Sequence, residues 1–438
     1  FIGIHFRRQY RRGISGEEMS EIEFSGPLRG YRVLELGSTV AGPFCGRMFA
    51  DFGAEVIKVE PTDGDAIRSI GGQYKGKSLY ASSIFRNKSL IAIDLHTVEG
   101  QNIVRELASK SDFVVENFKP GTLEKWNLGY PELSEGNPKL IMVRISGYGQ
   151  TGPYSKRPGY GIICEAVGGL RHLSGDPDRP PTRVAVSLTD YISGLYAFSG
   201  ALLALSERHR TGLGQYVDAA LYECAFSFLE QHIASYQKLG TVAKRMGSGT
   251  GSAPNNLYLT KDGQYIHIAA NGASVFKRLM HAMECPDLMS DARFLSGIAR
   301  SKNRDAMDRI VSEWAVKYDL EALESFLEKA RVPASRIFTI ADIFRDPHYR
   351  ARGAIVEAVD EELGSVAVSA PVPKLGRTPG KIRHSGRRIG QDTHRVLSEI
   401  LGFSDEQINR LNVDKVVGLD AVPARGKTSI RKGAKNDG

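Results

Sequence analysis

The 438-residue sequence predicts an α/β protein with a large domain built on a parallel sheet and a second, smaller α+β domain. From Val33 to Ile145, short apolar runs alternate with amphipathic stretches, which is typical of a parallel sheet with helices on both faces. The pattern changes after Gly247, where two strand-like runs flank the turn pair Asp262-Gly263 and predict a β-hairpin. Helical periodicity dominates the segment that follows, so the hairpin and these helices predict the smaller domain.

The elements are expected in an order that suits this class. In the large domain we expect strands at 33–36, 56–59, 90–94, 113–115, 140–145, 184–189 and 216–218, with helices near 43–52, 98–110 and 191–205 and a helical segment to about residue 238. The hairpin strands are expected at 256–260 and 264–269, followed by helices near 273–283, 302–317 and 319–331. Strand-like runs at 354–358 and 365–369 and a helix near 391–401 return to the first domain.

These elements divide the chain into five segments. They are a basic N-terminal extension (1–26), the first part of the large domain (27–224), the small α+β domain (225–335), the return to the large domain (336–417) and a disordered basic tail (418–438).

The net charge of +8 lies in the two ends of the chain. Residues 1–16 hold four arginines and no acid, and residues 421–438 hold five basic residues against Asp437, so the body between them is close to neutral. A neutral body argues against nucleic acid as a partner. Because no apolar run approaches the ~18 residues of a membrane span, we expect a soluble protein that does not enter a membrane.

The four cysteines lie far apart, without a C-x-x-C pair, so we expect no metal site and reduced, buried thiols. This usage fits the cytoplasm. The Arg-rich N-terminal segment leaves two explanations open: a transit peptide to the mitochondrial matrix, or a true start at Met19.

Several sequence motifs match known functional patterns only in part. Residues 71–78 satisfy the P-loop pattern but no strand immediately precedes them. The glycines at 37, 42 and 46 do not give G-x-G-x-x-G, although a helix N-terminus there offers backbone amides to a phosphate-bearing ligand. The histidines have no ligand spacing, and there is no G-x-S-x-G elbow for a serine hydrolase.

Asp190 is the principal catalytic candidate. It ends the apolar run 184–189 and opens a long helical stretch, which predicts a strand-to-helix turn at the ligand edge of a parallel sheet. The positive end of the helix dipole is expected to keep the carboxylate ionised, and such a carboxylate can act as a nucleophile. The alternative is that Asp190 is merely a helix N-cap.

Several separate stretches resemble the class III coenzyme A transferases, the group that includes formyl-CoA, carnitine and bile-acid CoA-transferases. The resemblance runs from about Pro27 to Leu411 and is carried by PLRGYRVLEL, AGP at 41–43, DFGAEVIKVE, RNKS, VENFKPG, ISGYGQTGP and RTGLGQ. It implies a large Rossmann-like domain made from both chain ends, a small domain between them, and an interlinked homodimer.

The resemblance also implies the site. Asp190 falls on the family nucleophile, and the coenzyme A contacts fall on Val40, Ala41, His96, Asn117, Phe118, Lys119, Lys125, Tyr160 and Gly161. The two lysines suit nucleotide phosphates. Backbone N–H groups of Gly247, Gly249 and Gly251 are our candidates for an oxyanion loop, with a plain flexible linker as the alternative.

The reaction implied is transfer of coenzyme A from an acyl-CoA to a free carboxylic acid, with coenzyme A as substrate and no permanently bound cofactor. Val40 and Pro61 replace a Gln and an Arg found in other members, so oxalate is a poor substrate candidate. An α-methylacyl-CoA racemase is the alternative enzyme, but Tyr160 stands where its His belongs, and a phenol is a poor base at neutral pH. A non-catalytic CoA-binding protein is the third hypothesis.

Overall fold

The computed structural model describes residues 25–420. Its strands are β1 (Arg32–Glu35), β2 (Glu55–Glu60), β3 (Gln73–Tyr74), β4 (Lys77–Ser78), β5 (Ser89–Ile93), β6 (Phe113–Glu116), β7 (Ile141–Ser146), β8 (Tyr216–Ala220), β9 (Asn255–Leu259), β10 (Tyr265–Ala269), β11 (Ala334–Arg336), β12 (Ile355–Asp360), β13 (Gly364–Ser369) and β14 (Val417–Gly418). The predicted extension before residue 25 and the predicted tail after residue 420 lie outside the described residues.

The helices connect these strands and cover the main sheet. They are α1 (Ala41–Asp51), α2 (Leu79–Ile84), α3 (Val98–Ser109), α4 (Thr122–Lys125), α5 (Tyr130–Gly136), α6 (Gly161–Val167), α7 (Leu170–Leu173), α8 (Leu188–Thr211), α9 (Leu221–Phe226), α10 (His232–Leu239), α11 (Ala273–Ala282), α12 (Gly297–Lys302), α13 (Arg304–Ala315), α14 (Leu320–Lys329), α15 (Ile340–Arg345), α16 (Pro347–Ala351), α17 (Thr393–Leu401) and α18 (Asp405–Val413). Short 3₁₀ helices lie at Ala66–Ser69 and Pro286–Met289.

The main sheet has the strand order β14-β5-β2-β1-β6-β7-β8. All pairs from β5 to β8 are parallel, and β14 is antiparallel to β5. The chain runs outward from β1 through β2 to β5 and then returns to β6 on the other side of β1. The strand order therefore reverses between β1 and β6, and such a switch point is where open parallel sheets bind ligands.

The described chain divides into two compact units. The first contains residues 25–159, 190–221 and 356–420 and holds the main sheet. Its central strands are mainly apolar and buried on both faces, as is typical of parallel sheets, with Val33, Leu34, Ile57, Ile91 and Val114 almost inaccessible. The predicted mixed α/β class with a parallel sheet is confirmed.

The second unit contains Tyr160–Thr189 and Tyr222–Ile355. Its antiparallel sheet has the order β11-β10-β9, and the predicted hairpin at Asp262-Gly263 joins β9 to β10. Helices α11, α13 and α14 bury apolar side chains together with this sheet, among them Phe276, Val311 and Leu323. The α+β character predicted for the small domain is thus observed.

The predicted boundaries of the small domain, 225–335, are too narrow. Residues 160–189 and 336–355, both predicted to belong to the large domain, lie in the second unit. A Cβ at Gly168 would lie 2.7 Å from the Ala225 side chain and 2.8 Å from the backbone oxygen of Tyr222. The Gly247 N–H donates to the Gly175 carbonyl at 3.1 Å. No change of composition marks this boundary, because it is set by contacts between distant segments.

The predicted strand at 184–189 is wrong. The segment joins no described sheet, Val184 and Val186 are 47% and 55% exposed, and α8 already begins at Leu188. The helical segment expected up to residue 238 is also two short helices, α9 and α10, separated near Glu230, which has a positive φ of 47°.

Helix α8 is, among the described residues, the one helix long and apolar enough to cross a membrane, so the expectation that no segment has this composition is wrong. Length and composition alone are weak evidence, and 44% of its apolar window is buried within the chain. Ala197 and Ala201 are fully buried, and a Cβ at Gly200 would lie 2.7 Å from Val217 of β8. The buried face of this helix therefore packs within the first unit, while Leu203 on the other side is 73% exposed.

Candidate active site

Asp190 lies in the first turn of α8 and is partly buried. Burial raises the pKa of its carboxyl to about 6, and its own backbone N–H partly offsets that rise. Burial thus acts against the ionised form that we expected the N-terminus of the helix to favour, but it does not neutralise the group. At neutral pH the group is still mostly ionised, and no cation shifts its pKa. Within residues 25–420 this carboxylate has no counterion, which suits a nucleophile better than a structural cap.

Asp190 shares a helix face with Gly194, since residues four apart lie above one another. Gly194 packs against α1 so closely that a Cβ there would lie 3.0 Å from the Ala41 carbonyl oxygen and 2.8 Å from the Phe44 ring. Val40 is the buried N-cap residue of α1, and Ala41 is its first residue. The face of α8 that carries Asp190 therefore packs on the helix that follows β1.

The loop between β1 and α1 is clamped by Asn117, which follows β6 across the switch point. The Ser38 N–H donates to Asn117 Oδ1 at 2.7 Å, and Asn117 Nδ2 donates to the Ser38 carbonyl at 2.9 Å. Gly37 and Gly42 leave the space that the amide occupies, because a Cβ at either would lie 3.0–3.2 Å from it. The Asn117 side chain thus braces the loop rather than projecting free toward a ligand.

Lys58 and Asp65 also hold the loop between β1 and α1. Sequence reasoning missed both residues. The buried Lys58 ammonium donates to the Gly37 carbonyl and pairs with Asp65 at 3.1 Å. Asp65 accepts the Thr39 N–H at 3.1 Å. Burial opposes the charge of Asp65, but Lys58 and backbone N–H groups hold the pKa of that carboxyl below its usual range. The signal in the sequence was a lysine inside an otherwise apolar strand.

Glu35 and Lys88 form a second buried pair beneath α1. Lys88 Nζ donates to Glu35 Oε2 at 2.6 Å and to the Pro43 carbonyl at 2.7 Å. Burial lowers the pKa of Lys88 to about 8 and raises the pKa of Glu35. Gly46 makes room for the carboxylate, since a Cβ there would lie 1.8 Å from it. The start of α1 is therefore fixed by charges that are themselves out of solvent.

Two of the predicted coenzyme A contacts, His96 and Phe118, lie against Trp126, which sequence reasoning did not single out. The rings of His96 and Phe118 each lie 5.6 Å from the Trp126 ring in edge contact. Lys119, in the loop after β6, and Lys125, the last residue of α4, are both exposed. The result is a surface of exposed cations and aromatic rings, which suits a nucleotide with its phosphates.

A buried ion pair supports this surface. Glu116, the last residue of β6, accepts the Phe118 N–H at 2.8 Å and Arg144 Nε at 2.8 Å, and Arg144 also pairs with Glu124 at 2.7 Å. Burial raises the pKa of Glu116 to about 7, although Arg144 opposes that rise.

The remaining predicted residues belong to the second unit. Tyr160 is 79% exposed and precedes α6, whose first residue is the buried Gly161. In the glycine loop, the Gly247 N–H is engaged by Gly175 and the Gly249 N–H donates to the Met246 carbonyl at 3.3 Å. Two of the three candidate oxyanion donors are therefore already occupied. The Gly251 N–H makes no backbone hydrogen bond within the described residues.

The P-loop-like run forms the small hairpin of β3 and β4 instead of a phosphate loop. Lys77 pairs with Glu362, and the Ser78 hydroxyl accepts the Ala81 N–H at 3.1 Å as the N-cap of α2. Within residues 25–420 there is also no cluster of three His, Cys, Asp or Glu side chains placed to hold a metal ion. Cys45, Cys164 and Cys224 are buried, and Cys285 is partly exposed.

Known proteins share both the sequence and the fold. The model of CoA-transferase family III matches residues 28–393. A succinyl-CoA–D-citramalate CoA-transferase from Chloroflexus aurantiacus is 43% identical over 89% of this chain and 98% of its own length. Human succinyl-CoA:glutarate CoA-transferase is 33% identical over 91% of each chain.

A solved structure agrees with this assignment. The crystal structure of a CAIB/BAIF family protein from Brucella suis is 34% identical, covers 86% of this chain and 100% of its own, and superposes with a TM-score of 0.77. Family match, sequence identity and fold thus agree over most of the described chain, which belongs to CoA-transferase family III.

Proposed function

We propose that this enzyme moves coenzyme A from succinyl-CoA, or a similar acyl-CoA donor, to a free dicarboxylic acid, with Asp190 as the covalent nucleophile. The observation that carries the proposal is a partly buried carboxylate without a counterion, on a helix that packs beside the switch point of a parallel sheet. A raised pKa makes a carboxylate more basic and hence more nucleophilic, while leaving it ionised at pH 7.

In the first half-reaction, an Asp190 carboxylate oxygen attacks the thioester carbon of the donor. The C–S bond breaks, giving an aspartyl-acyl anhydride and the coenzyme A thiolate. The thiolate then attacks the aspartyl carbonyl carbon, releasing the donor acid as its carboxylate and leaving an aspartyl-CoA thioester.

In the second half-reaction, the acceptor carboxylate attacks the aspartyl carbonyl carbon and expels the thiolate. The thiolate attacks the acceptor's carbonyl carbon in the new anhydride, which yields the acyl-CoA product and regenerates the Asp190 carboxylate. Each attack passes through a tetrahedral oxyanion that needs preorganised donors. The Gly251 amide is the candidate donor whose N–H is not already used by the glycine loop.

We expect the nucleotide of coenzyme A to bind at the aromatic and basic surface around Trp126. Counting the six parallel strands alone, the sheet has the order 3-2-1-4-5-6 of dinucleotide-binding domains, which supports the Rossmann-like description. Lys119 and Lys125 are the proposed phosphate partners, and Val40 and Ala41 line the approach to Asp190.

The substrate class rests on the relatives. The two relatives named above are a succinyl-CoA–D-citramalate and a succinyl-CoA:glutarate CoA-transferase. Citramalate and glutarate are both dicarboxylic acids. At 43% and 33% identity over about nine-tenths of the chain, they make dicarboxylic acids the first acceptors to test.

The functional form proposed is a homodimer. The second unit exposes Tyr236 at 63%, Leu239 at 75% and Val242 at 62%, all within a short segment around α10. Exposed apolar side chains concentrated in one short segment are typical of a protein interface. The interlinked arrangement of the two chains is part of the proposal and rests on family resemblance.

Replacement of Asp190 by Ala tests the proposal. We expect the transfer rate from succinyl-CoA to fall by at least about a thousandfold, because binding energy cannot replace a covalent nucleophile. Hydroxylamine added with the donor should give one Asp190 hydroxamate per chain in the native protein, found by peptide mass spectrometry, and none in the variant.

Asp405 provides a matched control, because it too is an acid in the first turn of a helix. Asp405→Ala should leave the transfer rate unchanged, since a helix-terminal charge contributes about 0.3–1 kcal/mol to stability alone. Retained transfer in Asp190→Ala would show that Asp190 is not the nucleophile. Absence of both transfer and hydroxamate in the native protein would argue for a racemase or a CoA-binding protein instead.

A further inference from the structure

Arg47 is a buried cation that the reaction steps above do not use. It lies on α1, its side chain is 12% exposed, and its nearest acid is Asp51 at 3.9 Å, which is too far for a hydrogen bond. Asp51 is already occupied: Arg86 donates to it at 2.5 Å and 3.0 Å, and Asn87 at 2.9 Å. The buried Nε of Arg47 has no hydrogen-bond partner among the described residues.

The local charge is therefore unbalanced. Two guanidinium groups, Arg47 and Arg86, share the single carboxylate of Asp51. Burial and the neighbouring Arg86 lower the pKa of Arg47 to about 10, so it stays cationic at neutral pH. A buried charge that lacks a close partner is costly, and an incoming anion removes that cost.

The surroundings of Arg47 include polar groups that suit a carboxylate. Its guanidinium stacks 4.6 Å from the centre of the Phe44 ring, and the Tyr191 ring meets Phe44 edge-on at 4.6 Å. The Tyr191 hydroxyl donates to that of Tyr80 at 3.3 Å, and both phenols influence the pKa of Arg47. A planar cation thus lies near two hydroxyl groups.

The cluster is close to Asp190 along the chain but is not its counterion. Tyr191 directly follows Asp190, and both lie in the first turns of α8, which packs on α1. Burial and its own backbone N–H account for the pKa of Asp190, without a contribution from Arg47. The nucleophile and the cation are separate groups at one helix contact, as a substrate with two carboxyl groups requires.

We propose that Arg47, assisted by the hydroxyls of Tyr191 and Tyr80, binds the free carboxylate of a dicarboxylic acyl group whose other carboxyl carbon reacts at Asp190. The inference rests on the proposed transfer function and assigns its substrate specificity. A guanidinium forms two parallel N–H···O bonds to a carboxylate, so Arg47 selects dicarboxylic over monocarboxylic substrates of the same length.

Binding measurements in the Asp190→Ala background test this without any covalent step. Succinyl-CoA and butanoyl-CoA have the same chain length and differ in a carboxylate against a methyl group. Arg47→Gln should weaken succinyl-CoA binding by at least about tenfold and leave butanoyl-CoA binding within about twofold, as measured by titration calorimetry. Arg210→Gln, an exposed arginine at the end of α8, is the matched control and should change neither.

Equal weakening of both thioesters, or of neither, would overturn the assignment, because damage to the fold does not distinguish them. Where Arg47→Gln does not fold, Arg47→Lys and Tyr191→Phe replace it, and each should lose part of the preference for succinyl-CoA. The preference is a ratio of binding constants. It therefore stands or falls separately from the transfer rate and the hydroxamate, which test the proposed function.

Discussion

Asp190 is partly buried, and burial disfavours the ionised form of its carboxyl group. The carboxyl is partly removed from water, so its ionised form is less stabilised than in an exposed aspartate. A carboxylate in this condition is a stronger nucleophile, and its protonation moves toward physiological pH. Partial burial of the Asp190 carboxylate thereby sets both the reactivity and the pH range of the proposed reaction.

The rate should therefore depend on pH through Asp190. Because its pKa is raised to about 6, the nucleophilic form is complete above pH 7 and is lost as the pH falls through 6. We expect kcat/KM for the acyl-CoA donor to fall about tenfold per pH unit below that value. Since this parameter reports on the free enzyme and donor, titration of the acceptor does not enter. A profile that stays flat between pH 5 and 7, with the melting temperature unchanged, would contradict the assignment.

Among the elements, the loop from β1 to α1 is the most heavily supported. Asn117 bridges it from β6, and Lys58 and Asp65 hold it from the neighbouring β2 side. Thr39, in the same loop, has a φ of 63°, which a side chain adopts at a cost that the surrounding bonds offset. These supports hold the loop in one position, as the proposed binding of coenzyme A beside Val40 and Ala41 needs.

Removing the clamp should weaken binding more than chemistry. Asn117→Ala loses two hydrogen bonds to Ser38, which should lower the free energy of unfolding by about 1–3 kcal/mol. We also expect a several-fold higher Kd for acyl-CoA with kcat largely retained. Asn102→Ala, on the exposed face of α3, is the control. A destabilised variant with unchanged Kd would show that the clamp serves the fold alone.

The elements that the sequence predicted well are those with local causes. Strands β1, β2, β5, β6 and β7 are mainly apolar runs, and the hairpin of β9 and β10 has its turn pair. The strand expected at 184–189 failed because valines at 184 and 186 give the same pattern whether or not a neighbouring strand exists. Strand β14 was missed because its two residues become a strand through pairing with β5.

The site was predicted unevenly for the same reason. The family motifs predict Asp190 as the nucleophile. They also predict His96 and Phe118 as coenzyme A contacts, which are two of the three rings in the cluster around Trp126. Trp126, Lys58 and Arg47 were missed, since their roles come from neighbours that are distant in sequence. A buried lysine or arginine cannot be told from an exposed one until its partners are known.

At the level of the whole molecule, the dimer is the main expectation. Replacing Tyr236 and Leu239 with Lys should separate the protomers, because charges would enter an apolar interface. Light scattering after size exclusion should show half the mass, with loss of transfer activity. Val413→Lys, at a 77% exposed apolar site in the first unit, should leave the dimer intact. Persistence of the dimer in the double variant would place the interface elsewhere.

The first unit is built from segments at both ends of the chain. Arg86 donates to the Ser369 carbonyl at 2.6 Å, and Asn87 Nδ2 donates to the Lys381 carbonyl at 2.8 Å. Strand β14 then completes the sheet beside β5. The sheet edge is thus closed by residues near the end of the described chain.

This closure sets an order of events during synthesis on the ribosome. The Leu90 N–H at the sheet edge donates to the Asp392 carboxylate at 2.8 Å. Asp392 is synthesised 302 residues after Leu90, so this hydrogen bond cannot form earlier. At the usual pace of translation, about 5–20 residues per second, the nascent protein carries an open strand edge for about 15–60 s. Over that interval the emerging chain offers a template for unwanted pairing, which cover by a chaperone would prevent.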